Sequence, residues 1–187
     1  DYDSEFRVSR NPVPTFYSLD TSGSVIYMNT FSKSLASTVR ISYMVLPDSL
    51  AERFKENFSF YSSTVSSFEQ YTLASFIEEG FFEKHINRMR LYYIRQRQAV
   101  LSLLSSSLMK DKCSVIENDS GLHFILRLNT VLSDKEVKEI LYQEGIKISA
   151  LSDYSRSSSI SHDFIISYSN LDMDAFKRAL GILSENI

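Results

Sequence analysis

Ser24-Val25-Ile26-Tyr27-Met28-Asn29, then Thr30-Phe31-Ser32-Lys33-Ser34-Leu35-Ala36-Ser37-Thr38-Val39-Arg40, then Ile41-Ser42-Tyr43-Met44-Val45-Leu46 run on without interruption. The first and third segments are short apolar runs. One follows the turn-forming Asp20-Thr21-Ser22-Gly23 and the other is stopped by Pro47, so two buried strands are predicted. Between them lies a polar, hydroxyl-rich loop around one apolar ring, Phe31. This is the part of the chain suited to chemistry. Thr30, Ser32 and Ser34 surround Lys33 with hydroxyls able to hold an anion. Arg40 stands where its guanidinium can return over the loop and bind a phosphate bidentately. A desolvated lysine near a cation has a lowered pKa and becomes a nucleophilic amine. Residue types alone allow a second reading, a solvated lysine in a Ser-rich loop.

Helices follow. Ser49-Leu50-Ala51-Glu52 has capping-box spacing and predicts a helix to about Phe58. A second is expected from about Val65 to Glu79, stopped by Gly80. A third is expected from near Phe81 to about Met109, with Phe82, Ile86, Met89, Tyr93, Val100 and Leu104 on one stripe. At 1.5 Å per residue it would be roughly 42 Å long, a length that bridges domains or subunits.

From Lys112 the pattern changes to a small α+β unit. Cys113-Ser114-Val115-Ile116 and Leu122 to Leu128 read as a strand pair around Asn118-Asp119-Ser120-Gly121. Ser133-Asp134-Lys135-Glu136 caps a helix that ends at Gly145. Ile146 to Leu151 is a short strand, Ser152 to Ser161 a polar loop, Phe164 to Tyr168 another strand, and Asp172 to Glu185 a closing helix. Asp134-Lys135-Glu136 with Lys138-Glu139 reads as a solvated helix face. Residues 1–47, 48–110 and 111–187 are thus expected to be a piece of a larger domain, a helical segment, and a small C-terminal domain.

Composition narrows the function classes. Among 187 residues, 20 Lys and Arg against 23 Asp and Glu leave a net charge of −3, unlike a chain built to coat nucleic acid or an anionic membrane. Hydrophobic residues at 43% and aromatics at 13% suffice for a packed core. One cysteine, Cys113, excludes an internal disulfide and a multi-cysteine zinc site, and suits a cytoplasmic protein. His85, His123 and His162 lack metal-ligand spacing, so no metal is expected. With only 5 glycines there is neither GxGxxG nor a Walker run, and no GxSxG elbow supports a hydrolase. No segment approaches the roughly 20 apolar residues that span a bilayer. The charged start, without an initiator Met, reads as a cut into something longer.

Two further groups of residues carry a resemblance. Asp1-Tyr2-Asp3-Ser4-Glu5-Phe6-Arg7 stands with Thr30-Phe31-Ser32-Lys33-Ser34-Leu35, Arg40 and Tyr43-Met44-Val45-Leu46-Pro47. Leu73 to Gly80 is followed by His85, Arg88-Met89-Arg90, Tyr93 and Arg95-Gln96-Arg97. The whole is similar to the aminotransferase-like half of MocR-type regulators, bacterial GntR-superfamily transcription factors whose effector domain resembles a fold-type I enzyme. The resemblance implies an α/β fold-type I domain, here a partial large domain plus the α+β small domain. It implies pyridoxal 5'-phosphate, a cofactor that needs an amine for its aldehyde and hydroxyls plus Arg for its phosphate. Lys33 would form the Schiff base, Tyr2 would hydrogen-bond the phenolic oxygen, and Thr30, Ser32 and Arg40 would hold the phosphate.

Further expectations follow from the family. DNA would be read by an N-terminal winged helix outside this chain. A homodimer and an amino acid or amine effector are also implied. The family usually has Gly where Asn29, Ser42 and Ser167 stand. Aminotransferases of this fold place an Arg near the late strand to clamp a substrate carboxylate; Phe164 to Tyr168 has none, and Arg156 is the nearby candidate. The functions implied are an effector-sensing domain, a true aminotransferase of an amino acid, or a degenerate domain kept for dimerisation.

Overall fold

The computed structural model describes residues 5–8, 14–116, 121–156 and 162–187. It divides into two compact units, one up to Arg90 and the other Leu91–Ile187.

In the first unit a one-turn helix, Phe16–Leu19, is capped by the Thr15 hydroxyl, which accepts from Ser18 N at 3.1 Å. Asp20 then organises the turn into the first strand. Its carboxylate accepts from Ser22 N at 2.8 Å, Ser24 N at 2.7 Å and Val25 N at 2.8 Å, as well as from the Ser22 hydroxyl. The Ser22 hydroxyl and these amides hold its pKa well below the carboxylate range. Strands β1 (Tyr27–Thr30) and β2 (Ser42–Val45) pair antiparallel, with Tyr27 opposite Val45 and Thr30 opposite Ser42.

The strands are where sequence located them, but their burial differs. Every residue of β2 is exposed, and β1 alternates between half-buried and exposed. Burying an apolar run on both faces takes a layer on each side, and among the described residues this sheet has two strands, with β2 exposed throughout. The covered part is aromatic. Tyr27 lies 5.8 Å from Tyr17 and 6.1 Å from Tyr43, and Phe31 lies 5.3 Å from Tyr43. Partial burial and the neighbouring Tyr27 push the Tyr43 phenol above its ordinary pKa.

Helix α1 (Asp48–Phe58) begins one residue before the expected cap. Pro47 is the N-cap residue, with φ −56°, and its carbonyl accepts from Leu50 N and Ala51 N at 2.9 Å. The fixed proline φ sets the first turn, so Ser49 falls inside the helix and makes no capping box. Helix α2 (Ser67–Glu78) is ended by Gly80 at φ +73°, the left-handed conformation that glycine adopts without a Cβ clash. Neither α1 nor α2 buries a residue. Helix α3 (Phe81–Ser106) has 26 residues, about 39 Å at 1.5 Å per residue. Its predicted stripe faces inward: Ile86, Val100 and Leu104 are buried, and Phe82, Met89 and Tyr93 are half-buried.

The second unit is a four-stranded antiparallel sheet in the order β3-β4-β6-β5, formed by β3 (Cys113–Ile116), β4 (His123–Leu128), β5 (Ser149–Ala150) and β6 (Asp163–Ser167). Phe124, Leu126 and Leu128 alternate onto one face of β4 with Phe164 and Ile166 of β6 beside them. That face packs on Val100 and Leu104, on Val137 and Leu141 of α4 (Asp134–Gln143), and on Phe176, Leu180 and Leu183 of α5 (Met173–Asn186). The buried Tyr168 hydroxyl donates to Gly121 O at 2.7 Å. The Ser133 capping box forms as the sequence predicts, with Ser133 N donating to Glu136 Oε2 at 2.7 Å. Asp172 caps α5 through Asp174 N and Ala175 N. The expected strand over Ile146 to Leu151 is reduced to β5, because Leu151–Tyr154 winds into a 3-10 turn closed by Asp153, which accepts from Ala150 N at 3.0 Å. The turn expected at Asn118-Asp119-Ser120 and residues 157–161 of the polar loop lie outside the described residues.

One reading is corrected here. Asp134 does not belong to a solvated helix face. It is only 7% exposed, and its carboxylate accepts from the Ser152 hydroxyl and from His162 N, the latter at 3.0 Å. It ties two points of the chain to the first turn of α4. His162 holds a left-handed φ of 54° at one of them. Lys138 is likewise paired, with Asp153 at 2.5 Å.

Two outcomes are expected. Asp134→Ala removes the acceptor for Ser152 and His162 and should lower the unfolding free energy by about 1–3 kcal/mol, whereas the exposed Lys135→Ala should leave it unchanged in urea titration. For Tyr43, a raised folded-state pKa means that the native state keeps its proton longer than the unfolded chain. Its contribution is therefore complete below about pH 10 and is lost as pH rises through the folded value. Stability measured across alkaline pH should fall less steeply in Tyr43→Phe than in wild type.

Candidate functional site

Residues 31–41 connect β1 to β2, and side chains close the connection. Phe31 N donates to Ile41 O at 3.0 Å, extending the ladder by one bond. Thr30 Oγ1 donates toward the same carbonyl and toward Ser32 Oγ, both at 3.2 Å. Ser32 Oγ donates to Val39 O at 3.0 Å and accepts from Arg40 Nη1 at 3.3 Å. Three sequence-predicted residues, Thr30, Ser32 and Arg40, therefore meet around one hydroxyl. Two hydroxyls beside a guanidinium suit a tetrahedral oxyanion.

Lys33 lies in the turn that starts from this cluster. Leu35 N donates to Phe31 O at 2.9 Å and closes the turn, with Lys33 exposed and Ser34 buried. The buried Ser34 carbonyl meets Nε2 of His85 at 3.1 Å. Phe31 meets Phe82 edge-on at 5.8 Å, one turn earlier on α3. Arg90, further along the same helix, donates from Nε to Glu5 O at 3.2 Å and from Nη1 to Asn87 Oδ1 at 3.1 Å, while Phe6 beside Glu5 is buried. The first turns of α3 thus hold both the lysine turn and the Glu5-Phe6 segment.

Sequence reading missed the contacts of His85 and Arg90. The available signal was spacing: Phe82, His85, Ile86 and Met89 share a helical face. Asn29, one of the positions where glycine was expected from the family, makes two local bonds: Nδ2 donates to Tyr27 OH at 3.0 Å and Oδ1 accepts from Thr30 N at 2.8 Å. Tyr2 lies outside the described residues. Arg156 belongs to the second unit, exposed after the 3-10 turn. A cavity of about 520 Å³ in that unit, lined by Leu126, Leu141, Phe176 and Leu183 among others, contains none of the predicted residues. Among the described residues no three His, Cys, Asp or Glu side chains gather to hold a metal ion, and no helix is long and apolar enough to cross a membrane.

Known proteins agree with this architecture. The HTH-type transcriptional regulator YhdI of Bacillus subtilis is 41% identical over 148 residues, covering 79% of this chain and 31% of its own length. The probable rhizopine catabolism regulatory protein MocR of Rhizobium meliloti is 36% identical over 183 residues, covering 98% of this chain and 37% of its own. The chain thus spans about a third of the length of the curated relatives it matches. Aromatic-amino-acid aminotransferase 1 of Thermococcus litoralis is 26% identical over 142 residues, 76% of this chain and 34% of its own. Among solved structures, the kynurenine aminotransferase of Pyrococcus horikoshii in complex with PMP superposes with a TM-score of 0.78 at 24% identity, over 97% of this chain and 45% of that one. The fold is that of fold-type I aminotransferases, as the sequence implied, and YhdI and MocR match at higher identity than the Thermococcus enzyme. Residues 5–183 match the aminotransferase class I and II family, and the chain belongs to it.

Proposed function

We propose that this chain is part of the effector-sensing domain of a bacterial, cytoplasmic transcription regulator, and that it binds pyridoxal 5'-phosphate. The observation that carries the reading is the cluster of Thr30, Ser32 and Arg40 beside the Lys33 turn. The Arg40 guanidinium has further N–H donors for a phosphate, the Thr30 and Ser32 hydroxyls would turn to it from the carbonyls they meet here, and the adjacent lysine suits an aldehyde. When bound, the cofactor supplies an aldehyde for an amine and a ring that withdraws electrons. Thr30, Ser32 and Arg40 would hold the phosphate and Lys33 the aldehyde carbon, with Tyr2 on the phenolic oxygen. The Lys33 amine would also hold or release a proton as ligands exchange. Residues 1–47 are read as a piece of the cofactor-binding domain, 48–110 as the helical segment and 111–187 as the small domain. DNA would be contacted by a winged-helix domain elsewhere in the protein, as the names of the relatives suggest.

A sensing role is favoured over turnover because β6 offers no arginine for a substrate carboxylate, leaving Arg156 as the candidate clamp. Losing such a pair from a transition state is worth about two to three powers of ten in rate. The second reading, an aminotransferase acting on an amino acid, is supported by the named enzymes among the relatives.

The protein supplied with pyridoxal phosphate should turn yellow, lose the colour irreversibly with borohydride, and stay colourless as Lys33→Ala. Wild type that remains colourless in excess cofactor would overturn the reading. A panel of amino acids with 2-oxoglutarate should shift the spectrum without accumulating glutamate; steady glutamate production establishes the enzyme reading instead.

Homodimerisation is part of the same proposal. Phe54, Phe58, Phe60 and Tyr61 pack on one another at ring distances of 4.6 to 6.2 Å yet remain exposed. An exposed aromatic patch of that kind marks an interaction surface. Sedimentation should show a dimer at micromolar concentration, and Phe58→Asp with Tyr61→Asp should shift it toward monomer.

A further inference from the structure

The lysine turn is held from behind by a residue with no part in binding a phosphate. Ser34 follows Lys33 directly, is 6% exposed, and presents its carbonyl to His85 Nε2 at 3.1 Å. A carbonyl only accepts, so Nε2 carries the hydrogen, which fixes the tautomer of a neutral ring. The turn has one backbone closure on each side of this carbonyl, Leu35 N to Phe31 O at 2.9 Å and Val39 N to Ala36 O at 3.0 Å. Neither satisfies the Ser34 oxygen. Phe82, one turn back on the same helix face, meets Phe31, so α3 grips the turn at both ends of the Phe31–Ser34 stretch.

From this geometry we infer that His85 is a positioning residue for Lys33, fixing the backbone direction of the turn from which the amine projects. The inference rests on the cofactor reading of Lys33 for its functional consequence. The anchor itself can be measured without cofactor. A glutamine amide reaches about as far as Nε2 and can donate to Ser34 O. An asparagine amide, one methylene shorter, cannot.

The test therefore pairs His85→Gln with His85→Asn. Both are polar and helix-compatible, and they differ in reach. Amide hydrogen exchange is followed at Leu35 and, as a remote reference, at Leu128, whose amide donates to His162 O at 2.8 Å. In His85→Asn, Leu35 should exchange about tenfold faster than in wild type, with His85→Gln within about twofold and Leu128 unchanged in both. With pyridoxal phosphate added, the borohydride-trapped fraction should fall in the asparagine variant and be restored in the glutamine variant. Leu35 exchange that is unaltered in both variants, or accelerated equally in both, overturns the inference. Differential Leu35 exchange in a protein whose wild type never binds cofactor keeps the anchor and overturns the cofactor reading. If wild type binds cofactor and both variants retain it equally, the positioning role is overturned.

Discussion

Two strands of four residues each cannot by themselves fix the long connection between them, residues 31–41, in one conformation. Hydroxyl-to-carbonyl bonds do it. Thr30 reaches the Ile41 carbonyl and Ser32 the Val39 carbonyl, both across the connection, and Arg40 closes onto Ser32. Each such bond is worth about 0.5–1.5 kcal/mol net against about 1–2 kcal/mol for ordering each residue's backbone, so the three select one path for the connection rather than offset its ordering entropy. With residues 31–41 fixed, Phe31 meets Tyr43 and Phe82, and the Ser34 carbonyl meets α3.

Two other polar side chains make bonds of similarly short reach. Asn29 spends its amide on Tyr27 and on the next backbone N–H, and Ser167 directs its hydroxyl at Leu122 O at 3.4 Å. Both are partnered within a few residues or across one strand.

Sequence reading succeeded where cause and effect lie close together in the chain. The Ser133 capping box, the left-handed glycines after α2 and α4, and the stripe on α3 depend on neighbours within a turn. Thr30, Ser32 and Arg40 were legible because one connection carries all three. His85 was quoted within a family signature but given no role, since its partner is far away in sequence. Asp134 was misread because a charge among charges on a helix looks solvated, and the groups that desolvate it, Ser152 and His162, come from a later segment. Pro47 overrode the Ser49 capping signal because a fixed φ determines where a first turn begins. The exposed strands defeated hydropathy for another reason: an apolar run reports a preference for burial, and burial requires a covering layer.

Asp134 ties two later points of the chain to one helix end. One carboxylate pins Ser152 and His162, so the ends of the segment between them are fixed by a group outside it. The Ser152 hydroxyl and the His162 amide are both held to the start of α4 by this single group. Loss of that one side chain would therefore release both contacts at once, and with them the tie between the first turn of α4 and two later points of the chain.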